Sequence, residues 1–157
     1  MKTTQLQTAG IIAPPPLLYV STLLLAFVVH FIASKPLPLA TFTSYVGGVA
    51  LILLSGAFAR WAFVTMKKRG TSASPRESSV ALITDGPFKL SRNPIYVAMT
   101  GLYVGITLLG DSQWPFLFLV PLLAIMHWGV VLREERYLIL QFGKSYEAYK
   151  SRTRRWL

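Results

Sequence analysis

Four apolar stretches, at residues 17–33, 39–64, 95–109 and 114–132, occupy about half of this 157-residue chain. Three of them are near or above the roughly 17–25 residues that an α-helix needs to cross a bilayer. In hydrocarbon each backbone amide and carbonyl must find its partner inside the segment, so apolar runs of this length are helices. The third run is short, unless Gly110, Asp111 and Ser112 form its turn and part of the 86–94 loop sits at the interface. Composition agrees, with 53% apolar and 14% charged residues and a mean hydropathy of +0.49; soluble domains carry about 25% charged residues. The expectation is an all-α membrane protein with four transmembrane helices, a cytoplasmic loop and an amphipathic C-terminal helical extension. Residues 1–157 then form a single domain, with no length left for a separate soluble one.

The net charge of +10 is distributed unevenly. Lys67, Lys68, Arg69, Arg76, Lys89 and Arg92 lie between the second and third stretches. Arg133, Arg136, Lys144, Lys150, Arg152, Arg154 and Arg155 follow the fourth, whereas Lys35 alone lies in the first connection. With four spans, the N-terminus, the 65–94 loop and the C-terminal tail share one side, and the positive-inside rule makes that side cytoplasmic. Juxtamembrane cations beside anionic membrane lipids explain the charge, so no nucleic-acid partner is expected. Residues 8–18 lack the clean apolar run of a removable signal. Pro14, Pro15 and Pro16 interrupt them and suit the beginning of a helix. The compact architecture suggests a multi-pass protein of a bacterial inner membrane, both termini cytoplasmic.

Along the chain, the KPLP turn at 35–38 separates the first two spans. Gly47, Gly48, Ser55 and Gly56 in the second are small enough to let helices approach closely. Arg60 can snorkel and Trp61 can sit at headgroup level. Residues 70–79, GTSASPRESS, read as a cytoplasmic loop, and Asp85-Gly86-Pro87 as a tight turn. SRNP at 91–94 starts the third helix, with Pro94 in its first turn and Asn93 as a helix cap. His127 precedes Glu134 by seven residues, nearly two turns, which puts both on one face. Leu138, Phe142, Tyr146 and Tyr149 form an amphipathic stripe, with Gly143 as a weak point or a break inside it. Taken alone, that stripe reads as packing rather than as a ligand box.

Most catalytic templates fail. Without cysteine there is no thiolate chemistry and no Cys-ligated metal. His30 and His127 lie far apart with no second ligand at metal spacing, so no metal site is expected. GPFKLSRNP lacks the spacing of a nucleotide-binding glycine loop. What remains is a set of polar groups at one membrane surface: Arg92, Asn93, Tyr96, Arg133, Glu134 and Glu135. Polar groups at such depth are costly and usually functional. Two adjacent carboxylates repel unless cations neutralise them. Either a salt-bridge cluster with Arg92, Arg133 and Arg136 does so, or a cationic small ligand does.

GPFKLSRNPIY, residues 86–96, resembles the G-(P/V)-(Y/F)…R-(H/N)-P-x-Y element of the integral-membrane methyltransferases. That family includes isoprenylcysteine carboxyl methyltransferase and the phospholipid N-methyltransferases. EERYLILQFGKSYEAYKSRTRRW resembles their E-E-x-x-L-x-x-x-F-G-x-x-Y-x-x-Y tail, and GTSASPRESSVALITDG is similar to the loop that precedes the first element in bacterial members. The likeness covers roughly residues 69–157, and the first two spans carry no signature beyond being membrane helices. It implies S-adenosylmethionine as methyl donor, bound where the third and fourth helices meet the cytoplasmic face. A strand-like segment of Val80, Ala81, Leu82 and Ile83 is implied to contact the cofactor, with Phe88 beside it. Asn93, Pro94, Ile95 and Tyr96 continue the implied pocket, and Glu134 or Glu135 contacts the cofactor's amino or ribose groups. Arg92 and Arg133 are the implied holders of an anionic group, and together with Glu134 the candidate catalytic residues. Asn93 departs from the eukaryotic histidine; an amide cannot take up a proton, so no acid–base role is expected there.

Methyl transfer from a sulfonium is a direct displacement that needs alignment and exclusion of water, not a protein nucleophile. A carboxylate acceptor needs an Arg to hold it. An amine acceptor needs a base, for which Glu134, Glu135 and His127 are available. The expected partner is a hydrophobic or lipid-borne acceptor reaching the site sideways between helices, of isoprenylcysteine type or an aminophospholipid. A non-catalytic lipid-binding scaffold is the rival; it leaves Glu134 and Glu135, opposite an Arg-Asn-Pro turn, without a purpose.

Overall fold

The computed structural model describes residues 9–70 and 81–157. Among them are helices α1 (Pro15–Ile32), α2 (Thr41–Lys68), α3 (Pro94–Leu109), α4 (Trp114–Phe142) and α5 (Lys144–Lys150), a short 3₁₀ turn at Gly86–Lys89, and no strand. α1, α2 and α4 are long and apolar enough to cross a membrane, which makes this an integral membrane protein; α3 is a shorter apolar helix. The outward surface fits that solvent: Leu24, Leu25, Val28, Phe31, Leu53 and Leu54 are all exposed.

The helices run alternately up and down, but sequence neighbours are not always packing partners. α2 lies along α3 and α1 along α4, while α3 touches both α1 and α4. The buried face of α2 is Ser44, Gly48, Ser55, Ala62 and Thr65. Small side chains there let two backbones meet: a Cβ on Gly105 would come 2.7 Å from Ile52 Cγ1 and 3.0 Å from the Gly48 carbonyl oxygen. Of the four small residues expected to serve packing, Gly48 and Ser55 do so; a Cβ on Gly47 would meet Leu108 only at 3.8 Å, and one on Gly56 would meet nothing within 4 Å.

α4 runs well beyond the expected end at 132. Its 29 residues span about 43 Å at 1.5 Å each, against a hydrocarbon core of about 30 Å. Its last turns therefore leave the apolar layer and carry polar groups. Its middle is irregular, with Met126–Val131 wound as a π-turn. A wider turn breaks the phase on which the pairing of His127 with Glu134 rests: Glu134 lines a cavity where α1 and α3 begin, and His127 does not. Gly143, with φ +51°, ends α4 and re-aims the chain into α5.

Two further expectations are corrected. The segment expected to be strand-like is irregular over Ala81–Ile83, and Val80 lies outside the described residues. Asn93 stands at the start of α3 with Pro94 in the first turn, but its side chain does not cap the helix. Its Nδ2 instead donates to the Arg155 carbonyl at 2.9 Å.

Candidate active site

At the end of the bundle where α1 and α3 begin lies a cavity of about 620 Å³, within the roughly 300–1,000 Å³ of small-molecule sites. Ala81, Leu82, Ile83 and Phe88 line it from the segment before α3. Arg92, Asn93, Pro94, Ile95 and Tyr96 line it from the start of α3, and Glu134 and Glu135 from α4. Two elements separated by some forty residues of apolar chain thus converge on one space. Arg133, expected beside them, is not part of the lining. It is exposed and its Nη1 donates to the Gly10 carbonyl at 2.8 Å.

The adjacent carboxylates have different surroundings. Glu135 is 5% exposed. It accepts from Arg155 through two bonds, Nε–Oε1 at 2.8 Å and Nη2–Oε2 at 3.0 Å. Arg92 Nη1 reaches the same Oε1 at 2.9 Å. The bidentate geometry is the strong form of such a pair. Arg92 also contacts the Tyr146 hydroxyl at 3.4 Å, and its Nε is buried with no partner among the described residues.

Glu134 is half-buried and accepts a 2.6 Å bond from the Tyr96 hydroxyl. Among the described residues no cation pairs with it. A polar ladder leads away from this point: Thr100 Oγ1 donates to the Tyr96 carbonyl at 2.9 Å and lies 2.8 Å from the Tyr19 hydroxyl.

The tail after α5 closes the polar side. The Arg92 amide donates to the Arg154 carbonyl at 2.9 Å, and the Ser91 hydroxyl to the Arg155 carbonyl at 3.2 Å. Tyr149 donates to the Phe88 carbonyl at 2.6 Å, and burial pushes the Tyr149 and Tyr146 phenols up from their ordinary range. The Glu135 carboxylate, through its hydrogen bonds, raises the Arg155 guanidinium further. Outside the cavity, Arg69 bonds Asp85 at 2.9 Å and holds that carboxyl below its usual range.

Sequence reasoning missed several members of the site. Leu138, Tyr146 and Tyr149 line the cavity rather than only packing, because the break at Gly143 folds the lower part of the stripe back over it. Ala9, Ile11 and Pro14 line it from ahead of α1, and Ala59, Phe63 and Met66 from α2. Arg155 was submerged in a run of tail cations that reads as headgroup contacts; nothing local singles it out. The spacing of the tyrosines did hold a signal, once α4 is known to end between Phe142 and Lys144.

A family model for phospholipid methyltransferases matches residues 43–145, about two-thirds of the chain. The chain belongs to that family. The match begins inside α2, which had shown no signature of its own, and ends just before Tyr146. No curated protein and no solved structure matches the chain. As a member of the phospholipid methyltransferase family, the protein is a methyltransferase acting on a lipid-type substrate.

Proposed function

We propose that the protein transfers a methyl group from S-adenosylmethionine to a lipid-borne acceptor, and that the reacting group of the acceptor is an amine. The observation that carries this is the contrast between neighbours: Glu135 is saturated by two arginines, whereas Glu134 faces the cavity with Tyr96 as its partner. A carboxylate in apolar surroundings is retained at a cost that a bound cation offsets. A carboxylate acceptor, such as an isoprenylcysteine, meets like charge there.

The residues present suit the donor. Arg92 offers a buried, unpartnered Nε for an anionic group, and the aromatic and aliphatic lining suits a flat ring system. When bound, S-adenosylmethionine supplies an electrophilic methyl group on a sulfonium sulfur. Glu134, held by Tyr96, takes the proton that an ammonium headgroup must release before its nitrogen can attack. The freed nitrogen would then take the methyl group that the donor supplies, the carbon–sulfur electron pair remaining on sulfur. Glu135 and Arg155 are positioning groups that, with the Arg92 side chain they neighbour, fix the tail over the site and exclude water. With α3 counted as a fourth span, the positive-inside rule supports a cytoplasmic face for the cavity mouth. The donor reaches it from water, the acceptor from the bilayer.

Calorimetry of the detergent-solubilised protein with S-adenosylhomocysteine separates this reading from a non-catalytic scaffold, which gives no binding heat. Labelled donor incubated with a membrane lipid extract should label an amine-bearing lipid. Label found solely in base-labile methyl esters overturns the amine assignment. Glu134→Gln should bind S-adenosylhomocysteine and turn over at least about 100-fold more slowly, the scale of a lost general base.

A further inference from the structure

Residues 9–14 lie ahead of α1 and outside the family-matched span 43–145, yet Ala9, Ile11 and Pro14 line the cavity. Two bonds hold this strap across α4. The Ile12 amide donates to the Gly129 carbonyl at 3.2 Å, and Arg133 Nη1 to the Gly10 carbonyl at 2.8 Å. Gly129 lies within the π-turn, where the ladder of backbone bonds changes step. The strap also presses close there: a Cβ on Gly129 would overlap Ile12 Cδ1 and stand 2.8 Å from Ile12 Cγ1. Within the strap, Ile11 packs against the buried cluster that includes Tyr19 and Tyr96.

We propose that Gly10–Pro14 is the acceptor-side wall of the cavity, and that Gly129 and Arg133 are positioning residues that hold it shut against the lipid. The inference rests on the methyl-transfer reading and deepens it. The chemistry of the strap assigns it to the acceptor. Gly10, Ile11, Ile12, Ala13 and Pro14 offer hydrocarbon and no polar side chain, which suits an alkyl chain. The polar groups suited to a water-soluble donor (Arg92, Asn93) stand instead at the start of α3. Arg133, expected to hold an anion, thus acts through a backbone carbonyl of the strap. Loosening the strap changes how the acceptor enters and leaves the donor's binding as it was.

The chain has no cysteine, so Ile11→Cys creates a unique thiol in the wall. Its maleimide reaction rate is measured in detergent micelles with and without phosphatidylethanolamine, and with S-adenosylhomocysteine alone. We expect phosphatidylethanolamine to slow the reaction at least about threefold and S-adenosylhomocysteine to leave it unchanged. Protection by S-adenosylhomocysteine alone, or by neither, overturns the proposal. Adding Gly129→Ala or Arg133→Gln should speed the reaction about tenfold, with S-adenosylhomocysteine affinity kept within about twofold. The double variant Gly129→Ala, Ile12→Ala should return the rate to its starting value, which separates loss of the close contact from loss of fold. An unchanged rate in both single variants, or an equal loss of donor affinity, also overturns it. Because the thiol reports without turnover, absence of methyl transfer to phosphatidylethanolamine counts against the proposed reaction, not against the wall.

Discussion

The two ends of the helix bundle are closed by different means. At the end away from the cavity, the 33–40 connection and the 110–113 turn clasp each other largely through backbone. The Gln113 amide donates to the Lys35 carbonyl at 2.9 Å, Gln113 Nε2 to the Pro36 carbonyl at 2.7 Å, and Trp114 Nε1 to the Ala33 carbonyl at 2.6 Å. These acceptors are neutral. At the cavity end, closure runs through Glu135, Arg92 and Arg155, buried or partly buried ions with an unpartnered Nε left over. Exposed bonds, accepted by neutral carbonyls except for the one to Asp111 Oδ1, suffice where a loop only has to be tied. Desolvated ions are an expensive way to tie one, and here Arg92 and Glu135 line the cavity on which residues of both sequence motifs converge. The comparison marks the second end as the working one.

The sharpest way to break the comparison is to neutralise Glu135. Glu135→Gln leaves Arg92, whose side chain is 8% exposed, without its anion. Removing one partner of a buried pair typically costs 3–5 kcal/mol, so thermal unfolding in detergent should show a loss of about 3 kcal/mol. S-adenosylhomocysteine affinity should fall with it, because Arg155 would no longer be gripped at both its guanidinium and its carbonyl. Wild-type stability for this variant makes the ionic closure ornamental and removes the distinction between the ends.

A smaller effect tests the tyrosines of the stripe. Tyr149→Phe removes the donor to the Phe88 carbonyl, a loss of about 1 kcal/mol. Burial raises the Tyr149 phenol above the value of about 10 that it has in an unfolded chain. The neutral phenol is thus favoured by folding. That contribution is complete below pH of about 10 and is lost as pH climbs toward the folded value, since the unfolded chain then binds fewer protons. Unfolding followed against pH should show wild-type stability falling on the alkaline side, and the Tyr149→Phe variant should fall less steeply. Equal slopes would show that Tyr149 ionises freely in the folded protein.

Hydropathy made the spanning segments legible, because backbone satisfaction in hydrocarbon leaves few alternatives to a helix. The convergence of Arg92, Asn93, Tyr96 and Glu134 on one cavity was legible too, from two motifs at the same membrane surface. The role of each was not. Arg133 and Arg155 are both tail-side cations in sequence, but one ties the strap and the other grips Glu135. What separates them is the π-turn at Met126–Val131 and the break at Gly143, which set the direction of every later side chain. Neither leaves a strong local mark: MHWGVV reads as ordinary apolar helix, and a lone glycine in a helical pattern is only a weak signal. The strap escaped for a different reason. Its bonds are made by backbone atoms of Gly10, Ile12 and Gly129, which any residue could supply.

The smallest expected effect lies at the far end and asks whether its clasp is geometric or electrostatic. Asp111 sits at φ +45°, and its Oδ1 accepts from the Leu37 amide at 3.0 Å across the two connections. Asn tolerates this left-handed conformation and retains the acceptor, whereas Ala does neither without strain. Asp111→Asn should therefore be nearly neutral, and Asp111→Ala should lose about 1 kcal/mol of stability in thermal unfolding. Donor affinity and turnover should be unchanged in both, because neither Asp111 nor Leu37 lines the cavity. A large loss in Asp111→Asn would make the clasp depend on its charge. The far end would then be held by the same kind of force as the site, and burial, not chemistry, would be what tells the two ends apart.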